Sequence, residues 1–259
     1  MNYTTQEKAK LAMQSLLDAC RLLAEYSKGS RKTAQYEAYF VPETMWYNRV
    51  HLQSGIGGEL EACINALAAA VPAGEMPPIV SYMSGDYQRK DIVPLLRQAG
   101  YANPIPAQTA MFKSLEGYEP VESAITVERV PAELVGTWAQ VVAEAFGKPT
   151  EKDGMLLLAA DEECYFLMHR EEGEIVAGML LYCKDGNAGI HEVGTLPAYR
   201  GRGIAKALLH RAFAIAVEKG CTYTTLQASP MGQPLYESLG FEAVGTINTW
   251  LQLPPGVTL

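Results

Sequence analysis

The sequence has few cysteines and histidines, and neither type is spaced as a metal site or a disulfide framework requires. Its five cysteines are far apart and include no C-x-x-C pair, which argues against zinc-binding and disulfide-rich folds. The four histidines show no ligand spacing either. We therefore expect no bound metal, and free thiols in a reducing, cytoplasmic compartment.

Long apolar runs and an excess of positive charge are also missing. No stretch approaches the roughly 20 apolar residues of a membrane span, and the N-terminal residues lack the basic-then-apolar pattern of a signal peptide. Acidic residues outnumber basic ones, 29 Asp+Glu against 21 Lys+Arg, and the formal net charge is −8. This balance predicts neither nucleic acid nor an anionic membrane as a partner.

What is present is the composition of a globular protein. The 259 residues are 48% hydrophobic and 19% charged, and the length suffices for two modest domains. Apolar positions at three- and four-residue spacing predict a helix over residues 7–26. Further elements are predicted before a linker at 115–121: strands at 36–41, 45–52, 79–83 and 109–113, and helices at 59–70 and 89–98.

After the linker the predicted elements mix hairpins with strand–helix–strand crossovers. They are strands at 125–130, 164–170, 174–182, 189–196, 221–228 and 241–253, and helices at 131–146, 201–219 and 233–239. This order predicts an α/β fold with a mixed sheet. LLRQAGY at 95–101 parallels LYESLGF at 235–241, and a glycine-rich turn precedes a helix upstream in each half. We therefore predict two related domains, 1–118 and 121–259.

The most informative stretch is VGTLPAYRGRGIA at residues 193–205. A predicted strand ends there, a turn with Gly201 and Gly203 follows, and a helix begins. The glycines allow close backbone approach to a ligand, and the helix start offers unpaired N–H donors and partial positive charge. Arg200 and Arg202 add forked cationic donors. The pattern predicts a site for a pyrophosphate-like dianion, whereas Walker A and dinucleotide-binding loops need other spacings. The alternative is an incidental turn with solvated arginines.

Arg200, Gly203 and Ala205 match a Gln/Arg-x-x-Gly-x-Gly/Ala loop, and residues 121–259 resemble the GNAT superfamily of N-acetyltransferases. The element order and the segment at 235–241 carry the same resemblance. It implies tandem GNAT-like domains, with a catalytic domain at 121–259 and a degenerate, non-catalytic one at 1–118. The implied reaction is acetyl transfer from acetyl-coenzyme A (acetyl-CoA) to a primary amine of a small molecule or peptide, by direct attack in a ternary complex.

The resemblance also implies the cofactor contacts. Backbone amides of the loop would hold the pyrophosphate, at Arg200, Gly201, Arg202, Gly203, Ile204 and Ala205. The backbone at Val193 and Thr195 would pair with the pantetheine arm, and the Val193 amide would polarise the thioester carbonyl. Ser229 takes the family's asparagine position and would contact the arm, unless it is a turn or helix-cap residue.

Two residues are implied as catalytic, and each has a structural alternative. Tyr236 would protonate the leaving thiolate, although a tyrosine on a helix can also fill the core. Glu192 is favoured over His191 as general base, although it can equally be a solvated or ion-paired carboxylate. Strand alternation places His191 and Glu192 on opposite faces, so that at most one faces the acetyl site.

A competing function is a non-catalytic acyl-CoA sensor or scaffold that keeps the loop without turnover. The overall acidity suits a cationic small molecule or a peptide amine as acceptor. The expected partner is therefore such an amine, and a homodimer is one assembly compatible with the sequence.

Overall fold

The computed structural model of the chain describes residues 3–41, 44, 46–85 and 89–252. Its first helix, α1 (Thr5–Glu25), begins at a capping box. The Glu7 amide donates to Thr4 Oγ1 over 3.3 Å and the Thr4 amide donates to Glu7 Oε2 over 2.7 Å. Because these side chains satisfy donors that a helix start leaves unpaired, α1 begins two residues before the predicted position.

All the helices and strands predicted before the linker are present. The region contains β1 (Ser30–Lys32), β2 (Tyr36–Tyr39), β3 (Arg49–Leu52), α2 (Leu60–Ala70), β4 (Ile79–Met83), α3 (Arg89–Gln98), β5 (Tyr101–Ala102) and β6 (Gln108–Ser114). The strand predicted from position 45 begins only at Arg49, and Met45 lies outside the described residues. β1 and β5 were not predicted because two or three residues are too few to show a period.

The second half follows the predicted order with local differences. It contains β7 (Glu128–Arg129), α4 (Val135–Phe146), α5 (Lys152–Leu158), β8 (Cys164–Glu171), β9 (Glu174–Lys184), β10 (Asn187–Thr195), α6 (Ile204–Glu218), β11 (Tyr223–Ala228), α7 (Gln233–Ser238) and β12 (Glu242–Gln252). The short helix α5 was not predicted, and only two residues of the strand predicted at 125–130 form a strand. Leu253, the predicted end of the last strand, lies outside the described residues.

The strands form one mixed sheet, which confirms the predicted sheet type. Their order is β1-β2-β3-β4-β12-β6-β11-β10-β9-β8-β7, and β5 pairs with the end of β12. Only β3–β4 and β10–β11 are parallel pairs among the strands described. β6 lies between β11 and β12, so the sheet runs through both predicted segments. The division into domains 1–118 and 121–259 stays a prediction.

Two hydrophobic layers enclose the second half of the sheet. Alternate residues of β8 enter different cores, since Phe166 packs with α1 and α4 whereas Tyr165 and Leu167 pack with α6. This is the two-residue period of a strand buried on both faces. The N-terminal helix α1 lies over β6, β11 and β12. The first half of the chain therefore helps to cover the sheet of the second.

Glycines bring α4 close to the sheet beside the end of β10. A Cβ at Gly178 would lie 2.1 Å from Trp138 Nε1, and this Nε1 donates to the Leu167 carbonyl over 2.9 Å. A Cβ at Gly194 would lie 3.1 Å from the Ala145 methyl. The C-terminal end of α4 therefore packs directly on β10, where the candidate site begins.

Candidate active site

β10 and β11 pair over only part of their lengths. Their register joins Asn187 to Tyr223 and ends with Ile190 at Leu226. β10 continues to Thr195 along β9, and β11 continues to Ala228 along β6. A gap therefore opens between the two strands after Ile190. Within the described ranges no strand pairs with this edge of β10, so an extended ligand can use its backbone groups.

A bulge at Glu192 lies where this gap opens. β10 pairs His191 with Leu180 and Gly194 with Gly178, so two residues of β10 face one of β9. Glu192 itself has a φ of 54°, in the left-handed region. His191 and Glu192 consequently line the same cavity. The bulge interrupts the regular alternation of the strand, and the expectation that at most one of the two side chains faces the acetyl site stays a prediction.

A cavity of about 330 Å³ occupies this region and has walls from both halves of the chain. β10 and β11 supply one part, and the segment around Ser229 and Tyr236 supplies another. The first half contributes Tyr47 and Arg49, at the start of β3. Ligand pockets commonly lie where two structural units of a protein meet.

The loop after β10 turns at two glycines with left-handed backbone angles. Gly201 has a φ of 76° and Gly203 a φ of 83°, values that glycine adopts without steric penalty. α6 begins directly afterwards, at Ile204 and not at the predicted Gly201, since neither glycine has helical angles. No side chain caps this helix start. Its first N–H groups therefore remain available as donors to an anion.

Both arginines of the loop are bonded to protein groups. Arg200 Nε donates to the Thr195 carbonyl over 3.0 Å, and its Nη2 donates to the Ala145 carbonyl over 2.7 Å. Arg202 Nη1 pairs with Glu171 at 3.3 Å. Arg200 thus ties the loop to the ends of β10 and α4. The donors that the loop presents to a ligand are therefore mainly main-chain groups.

Tyr236 and Ser229 line the same cavity. Burial raises the pKa of Tyr236 to about 12, so its phenol is protonated at neutral pH. Ser229 Oγ accepts from the Gly232 amide over 3.2 Å, which is the turn role that the sequence left open for it. Their positions are compatible with the implied roles, which stay predictions.

Glu192 is ion-paired inside the cavity. Lys148 Nζ donates to both carboxylate oxygens, over 3.0 and 2.9 Å, and the Tyr47 hydroxyl donates to Oε1 over 3.3 Å. The side chains of Lys148 and Glu192 are 15% and 12% exposed. Burial and the Glu192 charge raise the pKa of Tyr47 well above its ordinary value. The structure therefore shows the ion pair that the sequence left as an alternative, and the role of Glu192 as a base stays a prediction.

His191 is packed beside these groups in an uncharged state. Burial lowers its pKa to about 4, and its Nε2 has no hydrogen-bond partner among the described residues. A Cβ at Gly189 would lie 2.9 Å from this Nε2 and 2.4 Å from Ser15 Oγ. The His191 imidazole therefore packs in the narrow space between the backbone of β10 and helix α1.

Sequence reasoning missed several polar residues of the cavity, and three of them are Tyr47, Arg49 and Lys148. None belongs to a recognisable motif, and they reach the cavity from two segments far from the loop. The only local signal is that Lys148 follows Gly147, which ends α4 with a φ of 64°. A residue just after a helix C-cap lies at the edge of the sheet, where ligands commonly bind.

The described residues contain neither a grouped set of metal ligands nor a helix suited to a membrane. Within 3–41, 44, 46–85 and 89–252, no three His, Cys, Asp or Glu side chains are grouped so that they could hold a metal ion. Within those ranges, no helix has both the length and the apolarity that crossing a bilayer requires.

Comparisons with known sequences point to one family. Residues 135–241 match the family model described as Acetyltransferase (GNAT) family. An 82-residue segment is 37% identical to a glucosamine 6-phosphate N-acetyltransferase from Trypanosoma brucei brucei, and it covers 29% of this chain and 56% of that protein. The chain thus aligns with only about half the length of this curated relative.

Solved structures with a similar fold cover most of the chain. A GCN5-related N-acetyltransferase from Kribbella flavida superposes with a TM-score of 0.71 at 17% identity, over 96% of both chains. One from Sphaerobacter thermophilus gives 0.61 at 22% identity, over 82% of this chain and 74% of that one. A functionally unknown protein from Staphylococcus epidermidis gives 0.64 at 10% identity, over 86% and 92%. These similarities confirm the predicted α/β fold, which is GNAT-like throughout.

Proposed function

We propose that the chain transfers an acetyl group from acetyl-CoA to a primary amine, because residues 135–241 match the family model of the GNAT acetyltransferases. The acceptor would be a small molecule or a peptide. The observation that carries the proposal is the gap between β10 and β11, which lies beside the uncapped start of α6. The same gap adjoins the cavity that holds Tyr236 and Glu192.

The residues at the gap fit acetyl-CoA as the acyl donor. The main-chain N–H groups of the loop and the helix start would hold its diphosphate, at Arg200, Gly201, Arg202, Gly203, Ile204 and Ala205. The edge of β10 at Val193 and Thr195 would pair with the extended pantetheine arm, with Ser229 beside it. When bound, acetyl-CoA supplies the thioester carbonyl that the amine attacks. The Val193 N–H would donate to the oxygen of that carbonyl.

Glu192 would act as the general base of this reaction and Tyr236 as its general acid. The Glu192 carboxylate would attract the substrate ammonium beside Lys148 and take one of its protons, directly or through water. The Tyr236 hydroxyl would donate a proton to the departing sulfur, and the raised pKa of Tyr236 keeps that proton in place beforehand. Overall the ammonium loses two protons, of which one ends on the sulfur and the other reaches solvent.

Acetyl-CoA binding, followed by thiol release with a panel of amines, tests this function. We expect calorimetry to detect binding, and at least one amine to release coenzyme A in a reaction that Tyr236→Phe slows strongly. A protein that binds no acetyl-CoA, or binds it and consumes none with any amine, would contradict the proposal.

One observation favours a second function, a non-catalytic acyl-CoA sensor or scaffold. Both oxygens of Glu192 already accept from Lys148, so the favoured base is engaged before any amine arrives. A sensor would bind acetyl-CoA tightly without releasing thiol, and Tyr236→Phe would leave its affinity unchanged. A cytoplasmic location and a homodimer are further predictions of the proposed function.

A further inference from the structure

Arg49 brings a buried positive charge to the cavity, and the proposed chemistry does not use it. It is the first residue of β3, is 3% exposed and lines the cavity together with Glu192. Its Nε donates to the Trp46 carbonyl. Its Nη1 is buried and has no hydrogen-bond partner among the described residues.

Neither Glu192 nor Glu151, the carboxylates of this region, forms an ion pair with Arg49. Glu192 accepts from Lys148 and Tyr47, and Glu151 accepts from the Trp46 amide over 2.7 Å. Arg49 takes part in none of the ion pairs found in the described part of the chain. A buried charged donor without an acceptor is strongly unfavourable, so an anion from outside the chain would stabilise it.

We propose that Arg49 is the anion subsite of the acceptor pocket, and that the acceptor is an amine carrying a carboxylate or a phosphate. Its anionic group would bind the Arg49 guanidinium, while its ammonium would lie near Glu192. Arg49, Tyr47 and Glu192 all line the one cavity, so the two subsites lie in the same pocket. This inference rests on the proposed acetyltransferase function.

The inference changes the acceptor expected from the sequence. The net charge of −8 favours a cationic acceptor, but charges on the outer surface are screened over about 8 Å at physiological ionic strength. Arg49 lies inside the cavity, where screening is weak. A local buried charge therefore outweighs the overall charge in selecting a bound molecule.

Anion binding can be measured without turnover. Thermal unfolding would be followed in rising inorganic phosphate or acetate, at constant ionic strength and with coenzyme A present to occupy the loop. We expect one of these anions to raise the Tm of the wild type, Arg49→Met to lose the rise, and Arg49→Lys to keep part of it. Arg211→Met, on the exposed side of α6, is the matched control and should keep the full rise.

Anion-free samples separate binding from folding. Without anions, Arg49→Met should unfold at or above the wild-type temperature, because it removes a buried charge that lacks a partner. If neither anion raises the wild-type Tm, or if Arg49→Met shows the same rise, the anion subsite is refuted.

Matched acceptors then test selectivity and distinguish the two anions. Glycine would be compared with glycinamide for the carboxylate, and phosphoethanolamine with ethanolamine for the phosphate. We expect kcat/KM to be roughly 10- to 100-fold higher for one of the anionic members, as for one charged hydrogen bond. Arg49→Met should abolish this preference by raising KM for that member alone.

The outcomes separate this inference from the proposed function. Equal rates within both pairs, or a preference that survives Arg49→Met, would overturn the anion subsite while leaving acetyl transfer intact. Absence of thiol release with every amine would overturn acetyl transfer, and the thermal measurements would still decide whether Arg49 binds an anion.

Discussion

Two regions of the molecule share a local design and differ in their surroundings. β3 leads through a glycine-rich turn at 53–58 into α2 and the parallel strand β4, as β10 leads through the loop at 200–205 into α6 and β11. Each turn has two glycines with φ between 60° and 83°. Neither helix start has a side-chain cap. By local criteria alone, both turns are candidate anion sites.

Strand pairing and charge distinguish the two regions. β10 is bulged and separates from β11, whereas β3 is a regular strand with all four residues buried. Glu59 precedes α2 and its carboxylate accepts from Gln35 over 3.0 Å, while Arg200 and Arg202 precede α6. The negative charge of Glu59 near the start of α2 disfavours a bound anion there, whereas the two arginine charges favour one at α6. Glycines before a helix therefore do not suffice to predict an anion site, because the strand gap and the local charge differ between the two regions.

The largest expected effect separates the two turns directly. Gly203→Asp should weaken acetyl-CoA binding at least about 100-fold, because it places a carboxylate where the diphosphate would lie. The matched change Gly57→Asp, at the other turn, should leave the dissociation constant within about twofold. Calorimetric titration of both variants checks this. Equal losses in the two variants would mean that the turns are not functionally different.

A smaller effect is expected at the cavity wall of the second region. Tyr236→Phe should lower kcat about 100-fold, the lower end of the range for a general acid, and leave acetyl-CoA affinity unchanged. Tyr26→Phe, at an exposed tyrosine after α1, should change neither. Steady-state thiol release and calorimetry measure the two quantities. An unaltered kcat would make Tyr236 a packing residue.

The third effect concerns the bulge in β10, which β3 lacks. Glu192→Gln should lower kcat roughly tenfold near pH 7, and the deficit should shrink at higher pH as the acceptor amine loses its proton without help. Glu133→Gln, at an exposed acid before α4, is the control. Rates measured from pH 6 to 10 distinguish the outcomes. A deficit independent of pH would assign Glu192 a positioning role.

The smallest difference between the regions is expected in acid. His51 on β3 and His191 on β10 are both buried, and burial lowers the pKa of each to about 4. Each neutral imidazole stabilises the fold above about pH 6.5. As pH falls toward 4, protons bind the unfolded chain preferentially. The titration of each histidine should therefore lower the free energy of unfolding of the protein by about 3 kcal/mol.

Denaturation at pH 7 and pH 4 checks this expectation. His51→Asn and His191→Asn should each reduce the acid-induced loss, by amounts within about 1 kcal/mol of one another, since the two pKa values agree. If the imidazole proton resonances of either histidine titrated near pH 6.5, burial would not hold that histidine neutral.

Where prolines or glycines flank a helix or strand, the limits predicted from the sequence agree closely with the structure. β4 and α3 have the predicted limits 79–83 and 89–98, since prolines precede β4 and Gly100 follows α3. The start of α6 was predicted three residues early, because glycine is compatible with both a turn and a helix end. The direction of the Glu192 side chain was not predictable, because a bulge depends on pairing with β9.

The order of helices and strands and the loop at 200–205 could be predicted from the amino-acid sequence alone. These follow from periodicity, glycine and proline, which act between near neighbours in the chain. Which charged side chains share the cavity depends instead on how distant segments pack in the folded chain. The Tyr47 hydroxyl and Glu192 are 145 positions apart, and they meet because β6 and β12 join both halves into one sheet.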